Sequence, residues 1–259
     1  MPRTTLTSTQ RELGFPGNLK VGDRGTSVKR LQEWLAIHGV LKGPVDQEFG
    51  NGTADAVSAF RKAQALAAVG PLDQSTWDVL IAPLRKADAF VPTGAGAREA
   101  VVETARAHLD QGPVEIGGEN CGPWVRYYTH GNDGAPWQWC QGFASSVFQQ
   151  AFETLGKALP FPTTDKHGAW CLNVPAFARI VEDHEGLVSG SHPNLEEMIH
   201  PGAFYFIRGG DAGYEHSGLV ESINHDNRTF VTINGNWGNK IGRATFKIGP
   251  GYDFGVFRT

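Results

Sequence analysis

Cysteine and methionine are scarce in this chain, and long hydrophobic runs are missing. Its 259 residues include 3 cysteines, too few for a framework of disulfide bonds. No segment approaches the roughly 18 consecutive apolar residues of a membrane span, so we expect no membrane insertion. The opening residues 1–5 lack the apolar centre of a secretory signal, which predicts synthesis in the cytoplasm without a signal peptide.

An excess of positive charge is missing as well. The formal net charge is −4, which gives no broad attraction to nucleic acid or to acidic lipid. We therefore expect no nucleic-acid partner. With 40% hydrophobic and 19% charged residues, the composition is that of a soluble protein with one large or two smaller domains. We expect a monomer.

The first third of the chain carries three short amphipathic patterns. Apolar residues recur at helical spacing over 27–35, 53–66 and 75–84, which predicts three helices in a small bundle. Residues 89–98 have the Pro, Gly and Ala composition of a linker. The expected organisation is a first domain over 1–88 with its core at 19–81, the linker 89–98, and a second domain over 99–259.

Cys140 is the most informative residue of the second domain. Apolar residues follow it at offsets of three and four, including Phe143, Val147 and Ala151, and this pattern predicts an amphipathic helix with Cys140 in its first turn. There the unpaired N–H groups and the helix dipole favour a thiolate, and we expect the thiol to face the surface. Cys121 and Cys171 lie in a turn and a loop, and we expect structural thiols or a mutual disulfide.

A histidine and an amide follow Cys140 on predicted strands. Strand-like runs at 203–207, 216–223 and 229–234 are separated by Gly209-Gly210 and by a turn at 225–227, which predicts an antiparallel meander. His216 opens the second run and Asn234 closes the third, so their side chains can lie side by side. A thiol hydrolase needs a thiolate, an imidazole that moves the proton, and a group that orients the ring.

Several neighbours of Cys140 are candidates for substrate contact. Backbone N–H groups at the helix start could hold an oxyanion, and Gln138 could supply another donor or simply face solvent. Trp137 and Trp139 could line a substrate groove or belong to the core.

From about residue 99 onward, five ordered motifs resemble the cysteine, histidine-dependent amidohydrolase/peptidase (CHAP) family of papain-like cell-wall hydrolases. They are Gly118-Glu119-Asn120-x-Gly122-Pro123-Trp124-Val125, Trp139-Cys140-x-x-Phe143, Pro201-Gly202-Ala203-Phe204-Tyr205-Phe206, His216-x-Gly218-Leu219-Val220 and Ile233-Asn234-Gly235-Asn236. The resemblance implies helices packed on an antiparallel sheet. It makes Cys140 the nucleophile and His216 the base, with Asn234 at a position often filled by glutamate and Asn236 at a nearby amide position. A neutral amide can orient imidazole but cannot give imidazolium a full counter-charge.

The first domain resembles the three-helix peptidoglycan-binding domain over residues 19–81. The matching segments are Leu19-Lys20-Val21-Gly22-Asp23-Arg24-Gly25, Val28-x-x-Leu31-Gln32-x-x-Leu35, Asp46-x-x-Phe49-Gly50-x-x-Thr53-x-x-Ala56-Val57-x-x-Phe60 and Gly70-x-x-Asp73-x-x-Thr76-Trp77. Asp46, Phe49 and Gly50 are candidate binding residues, and the alternative is that they only shape a loop. The fold class predicted for the whole chain is α+β.

The two resemblances together imply a bacteriolytic, endolysin-like peptidoglycan hydrolase. Its substrate bond is an amide, either between the lactyl group and the first alanine or within stem and cross-bridge peptides, and it needs no cofactor or metal. Such a layout is typical of a phage endolysin released by a holin, or of a toxin delivered by a secretion machine.

Two alternatives remain open. One is a wall-binding protein with a spent catalytic half, in which Cys140 is buried or His216 is out of reach. The other is a zinc-dependent amidase, although the sequence has no His-Glu-x-x-His motif and no paired, closely spaced Cys and His ligands.

Overall fold

The computed structural model describes residues 7–67, 70–94, 96–209 and 213–258. Residues 1–6 of the predicted first domain, residue 95 of the predicted linker and Gly210 of the predicted strand break lie outside these ranges. The helices are α1 (Thr7–Leu13), α2 (Thr26–Ile37), α3 (Asn51–Ala63), α4 (Gln74–Leu80), α5 (Ala82–Asp88), α6 (Ala97–Leu109), α7 (Pro123–Tyr128), α8 (Cys140–Thr154), α9 (Val174–Asp183) and α10 (Leu195–Met198). The strands are β1 (Leu187–Ser189), β2 (Phe204–Arg208), β3 (Tyr214–Asn224), β4 (Thr229–Asn234), β5 (Gly242–Lys247) and β6 (Tyr252–Gly255).

The α+β fold class is confirmed. All six strands form one antiparallel sheet in the order β1-β6-β2-β3-β4-β5, and the predicted meander is its β2-β3-β4 portion. β1, β5 and β6 were not predicted. Within the described ranges, none of the helices has the length and apolar character needed to cross a membrane.

The contacts within the chain divide it into two compact units. The helical unit takes the described residues up to 88 together with 114–136, and the sheet unit takes 89–113 together with 137–258. The second domain predicted from the sequence contains 114–136, whereas in the structure this segment packs with the N-terminal helices.

Buried charge explains why the segment 114–136 joins the helical unit. Arg126 of α7 donates to Glu12 at 2.7 Å, to Glu33 at 2.6 Å and to Asp133 at 2.6 Å. Glu33 is completely buried on α2, and a buried charge is tolerated only when it is paired. Glu33 and Arg126 therefore need each other, although 93 residues of chain separate them.

The predicted helices of the first domain form, with changed limits. The second ends at Ala63 rather than at residue 66, because Ala65 takes a φ of 53° that no α-helix accepts. The third is divided at Ile81 into α4 and α5. Asp73 caps α4 by accepting a hydrogen bond from the Thr76 N–H at 2.8 Å. With α1 and α7, the unit has more helices than the three predicted.

Alternation along β2 fixes the two faces of the sheet. The Phe204 ring meets Phe148 of α8 and Phe177 of α9, each with centroids 5.0 Å apart, so this face carries the helices. The next side chain, Tyr205, meets Phe230 of β4 at 5.7 Å on the other face. Successive side chains of a strand point to opposite faces, and β3 follows the same rule beside β2.

Candidate active site

Cys140 is the first residue of α8, as predicted, but it does not face the surface. It is only 3% exposed. The Phe143 N–H donates to the Trp139 carbonyl at 2.9 Å, so the N–H groups of Cys140, Gln141 and Gly142 precede the first hydrogen bond of the helix. These N–H groups point towards the position of the Cys140 side chain at the start of the helix.

The expectation of a thiolate at Cys140 is wrong for this structure. Burial raises the pKa of the thiol, although hydrogen bonds from the N–H groups of Ser217 and Gln141 act in the opposite direction. Desolvation of a negative sulfur thus outweighs the donors at the helix start. These contacts also show that the sulfur lies beside Ser217, the residue that follows His216.

His216 lies on β3 opposite Ile207 of β2. Its ring is half-buried, and its Nε2 atom is 3.3 Å from Oδ1 of Asn234. The Trp237 ring covers it with centroids 5.2 Å apart. Burial lowers the pKa of His216, and the hydrogen bond to Asn234 only partly offsets this. At neutral pH the site therefore holds a neutral imidazole and a neutral thiol.

The partners of Asn234 determine which nitrogen of His216 carries the proton. The amide nitrogen of Asn234 donates to the Gly242 carbonyl at 3.3 Å and to Oγ1 of Thr232 at 2.8 Å. Since a carbonyl can only accept, this fixes Oδ1 as the atom that faces His216. Nε2 must then be the donor, and in the neutral ring Nδ1 keeps its lone pair. An imidazole in this tautomer can accept a proton at Nδ1.

Tyr205 is a second donor to the same amide oxygen. Its side chain is fully buried and its hydroxyl hydrogen-bonds to Oδ1 of Asn234. Burial raises the pKa of Tyr205, so the phenol stays protonated and remains a donor over the whole neutral range. With its nitrogen and its oxygen both engaged, the Asn234 amide is held in one orientation.

The glycine of the His216-x-Gly218 motif is required by space. A Cβ atom at Gly218 would lie 2.5 Å from Oδ1 of Asn234 and 2.8 Å from a ring carbon of Tyr205. Both distances are shorter than any non-bonded contact a methyl group accepts. Any side chain here would displace the amide that orients His216.

A buried polar chain joins the start of α8 to β3. Ser217 donates to Oε1 of Gln141 at 2.8 Å, and Gln141 donates to Ser145 at 2.8 Å. Because Ser217 alternates with His216 along β3, it faces the helix while His216 faces Tyr205 and Asn234. These hydrogen bonds hold Gln141, which follows Cys140, against Ser217, which follows His216.

Of the predicted neighbours of Cys140, two are at the surface and one is in the core. Gln138 is exposed and Trp137 is 37% exposed, whereas Trp139 is fully buried. The Trp139 ring thus takes the core alternative, and of these two tryptophans Trp137 is the one whose indole is exposed to a ligand. Asn236 follows β4 with a φ of 50°, and the amide that meets His216 is that of Asn234.

The sequence did not predict the roles of four residues at the site, which are Tyr205, Gln141, Ser217 and Trp237. Tyr205 and Ser217 read as ordinary strand residues, and Gln141 as one polar position of a helix. Trp237 directly follows the Ile233-Asn234-Gly235-Asn236 motif, and its place in the hairpin after β4 was the only available signal.

The predicted binding residues of the first domain have separate positions. Asp46 is exposed and accepts hydrogen bonds from Gln32 at 2.7 Å and from the Glu48 N–H at 2.9 Å, which shapes the loop. The hydrogen bond from Gln32 lowers the Asp46 pKa. Gly50 is the exposed N-cap of α3. Phe49 is buried and lines a surface cavity of about 450 Å³.

The three cysteines are free thiols. In the part of the chain that the structure describes, no three His, Cys, Asp or Glu side chains come together as a metal ion would require.

Comparison with known proteins agrees with the helical architecture of the N-terminal unit. The structure defines an α+β protein whose sheet unit places His216 beside Asn234 and the Cys140 sulfur beside Ser217. Residues 24–80 match the family model named "Putative peptidoglycan binding domain", within the predicted span of 19–81. The match does not extend past residue 80. No curated protein matches the chain.

Proposed function

We propose that this protein is a peptidoglycan hydrolase that cleaves an amide bond of the cell wall with Cys140 as its nucleophile. The family match associates the N-terminal unit with peptidoglycan. The observation that supports catalysis is the orientation of His216 by Asn234, which leaves Nδ1 as the proton acceptor.

The proposed first half-reaction starts from the neutral pair. Nδ1 of His216 takes the thiol proton while the Cys140 sulfur attacks the carbonyl carbon, and N–H groups at the start of α8 stabilise the oxyanion. Asn234 accepts the Nε2–H bond and orients the imidazolium. Nδ1–H then protonates the leaving amine, the C–N bond breaks, and a thioester to Cys140 remains.

Water completes the proposed cycle. His216, neutral again, takes a proton from a water molecule that attacks the thioester carbonyl. The C–S bond breaks, and the sulfur recovers its proton from His216. The products are a carboxylic acid and a new amine end. The bond is either the lactyl–alanine amide or a peptide bond of the stem or cross-bridge.

Identification of the digestion products tests this function directly. Purified sacculi are incubated with the protein, and the released fragments are analysed by mass spectrometry together with labelling of new amine ends. A new amine on the first alanine identifies an amidase, and a new amine inside the peptide identifies an endopeptidase. New reducing sugar ends without new amines would reject the proposal, because a glycan-cleaving enzyme makes those. Activity that survives EDTA separates the thiol mechanism from a zinc-dependent amidase.

The site of action follows from the proposed substrate. Peptidoglycan lies outside the cytoplasmic membrane, so the enzyme must reach it after synthesis, either by phage-directed release or through a secretion machine. Cytoplasmic expression should lyse the host only when a holin is coexpressed, if the route is that of an endolysin.

His216→Ala is expected to lose nearly all hydrolysis, since the buried thiol then has no base and the amine has no acid. Because burial lowers the pKa of His216 and raises that of Cys140, the neutral pair persists across neutral pH. The acidic limb of kcat/KM should therefore lie below pH about 6.5, the ordinary histidine value. His225→Ala, at an exposed turn residue, is the control. An acidic limb well above that value would contradict the proposed pair.

Asn234→Ala should retain the base and lose its orientation. We expect a decrease in kcat/KM of about 10- to 1000-fold, as for the third group of other triads. Asn236→Ala is the matched control and should change the rate little. Full activity of Asn234→Ala beside an inactive Asn236→Ala would move the orienting role to Asn236.

A second candidate function is wall binding without hydrolysis, which the burial of Cys140 favours. Alkylation by iodoacetamide at neutral pH, followed by mapping of the modified cysteine, separates the two. The hydrolase requires that modification of Cys140 accompanies loss of activity. An unmodified Cys140 in the folded protein, together with no new amine ends from sacculi, would support the wall-binding protein.

A further inference from the structure

The helical unit carries an apolar groove beside α3, which we call the α3 groove. Val57 and Ser58 of α3 line the groove. Val21, Phe49 and Pro71, which lie outside this helix, line it as well. Its volume is about 450 Å³. Val21 is 55% exposed, so its side chain is accessible to a ligand from solvent. An apolar concavity of this size has room for a small ligand or a short chain segment.

The groove is held in shape without a ligand. The Arg61 guanidinium is buried and donates to the carbonyls of Gly70 at 2.9 Å and Pro71 at 2.6 Å. Near Val21, the Gly22 N–H donates to the Phe49 carbonyl at 3.0 Å. These hydrogen bonds hold the backbone around Val21 and Pro71 in place. A preformed groove loses little conformational entropy when it binds its ligand.

The lining selects among the chemical parts of peptidoglycan. A glycan presents hydroxyl and amide groups that need hydrogen-bonding partners when they are buried. The lining side chains that carry polar atoms are Lys20, Ser58 and Arg61. Arg61 donates to the carbonyls of Gly70 and Pro71. The described lining includes a lysine and no carboxylate. Small methyl-bearing residues next to a carboxylate therefore fit the groove better than sugars do.

We propose that the α3 groove binds the stem peptide of peptidoglycan, with alanine methyl groups against Val21, Val57 and Phe49 and a peptide carboxylate at Lys20. This inference rests on the proposed wall association and specifies its ligand. The glycan strand stays outside the groove. Stem peptides carry the alanine side chains and carboxylates that such a lining recognises, and they recur along every strand.

The test uses the full chain in a Cys140→Ala background, so that bound ligand is not cleaved. Val21→Glu places a negative charge at the groove, and cosedimentation with sacculi should weaken at least tenfold. Val91→Glu is the matched control, because Val91 is 63% exposed and outside the groove, and it should stay within twofold. Lys20→Gln should weaken binding and make it less sensitive to salt, as expected when one ion contact is lost.

Two soluble probes identify the occupant. Amide resonances of residues 20–21 and 54–61 should shift with the tetrapeptide L-Ala-γ-D-Glu-L-Lys-D-Ala and remain unchanged with chitotetraose. Shifts with chitotetraose alone would overturn the assignment of a peptide ligand. Unaltered sacculus binding by both Val21→Glu and Lys20→Gln would overturn the groove while wall association stands. A parent protein that stays in the supernatant would reject wall association and the groove together.

Discussion

Cys140→Ala is expected to abolish hydrolysis of sacculi. Loss of a nucleophile costs on the order of 10⁴-fold or more in kcat. Neither Cys121 nor Cys171 is the first residue of a helix, as Cys140 is. Cys140 is buried, so the change also removes packing, but a single sulfur in a well-filled core costs only about 1 kcal/mol. The fold should survive. Turbidity clearing and release of amine ends measure the loss.

Two matched variants make this result specific. Cys121→Ala and Cys171→Ala also remove a thiol group, but at positions for which no catalytic role is proposed. Both variants should retain wild-type activity. Clearing by Cys140→Ala within threefold of wild type would reject the thiol mechanism. Circular dichroism of Cys140→Ala must match that of wild type, which separates lost chemistry from lost structure.

Arg126→Ala is expected to destabilise the helical unit by about 3–5 kcal/mol, the usual cost of removing one partner from a buried ion pair. Glu33 would remain completely buried, and Glu12 nearly so. Burial already raises the pKa of Glu33, with the hydrogen bond from Arg126 opposing the rise. Without Arg126 the pKa of Glu33 in the folded state should rise further. Urea denaturation measures the free energy of unfolding.

The pH dependence identifies the cause. A carboxyl whose pKa is higher in the folded than in the unfolded state favours folding when it is protonated, and this benefit is lost as pH rises through the folded pKa. The deficit of Arg126→Ala should therefore shrink as pH falls from 7 towards 5. Arg24→Ala is the control, since Arg24 forms an exposed pair with Glu48 and should cost less than 1 kcal/mol. A deficit that does not change with pH would point to lost packing instead.

The same contacts revise an expectation from the sequence. Three predicted helices and a linker suggest that residues 1–90 would fold alone and bind the wall. A fragment ending at 90 lacks Arg126 and leaves Glu33 with Lys29, 3.6 Å away, as its remaining charged partner. We expect that fragment to be largely unfolded, whereas the full chain binds sacculi.

Local pattern was enough to predict the meander and the neighbourhood of His216 and Asn234. Period-two strands and turn residues fix register over short distances, and the 3.3 Å contact between the two side chains follows from that register. The catalytic roles of Cys140, His216 and Asn234 stay predictions. The first turn of α8 was also predictable, because the apolar spacing that follows Cys140 is visible in the sequence.

Long-range burial was not predictable in the same way. The neutral state of Cys140 depends on desolvation by residues far away in sequence, whereas the helix start is visible locally. The tautomer of His216 depends on the Gly242 carbonyl, a backbone atom on a strand that the sequence analysis did not identify. The tie between Arg126 and Glu33 spans much of the chain, and a charged residue in a short helix gives no signal of such a partner.

The two-segment construction of the helical unit has a consequence for synthesis on the ribosome. After residue 88 has been made, the unit must wait for α7, and the chain meanwhile passes through residues that belong to the sheet unit. The 38 residues from 89 to 126 take about 2–8 s at roughly 5–20 residues per second. Throughout that interval Glu33 has no Arg126. The N-terminal unit therefore cannot finish folding first, and genetic exchange of this wall-binding unit between proteins would have to transfer two separate pieces of the gene.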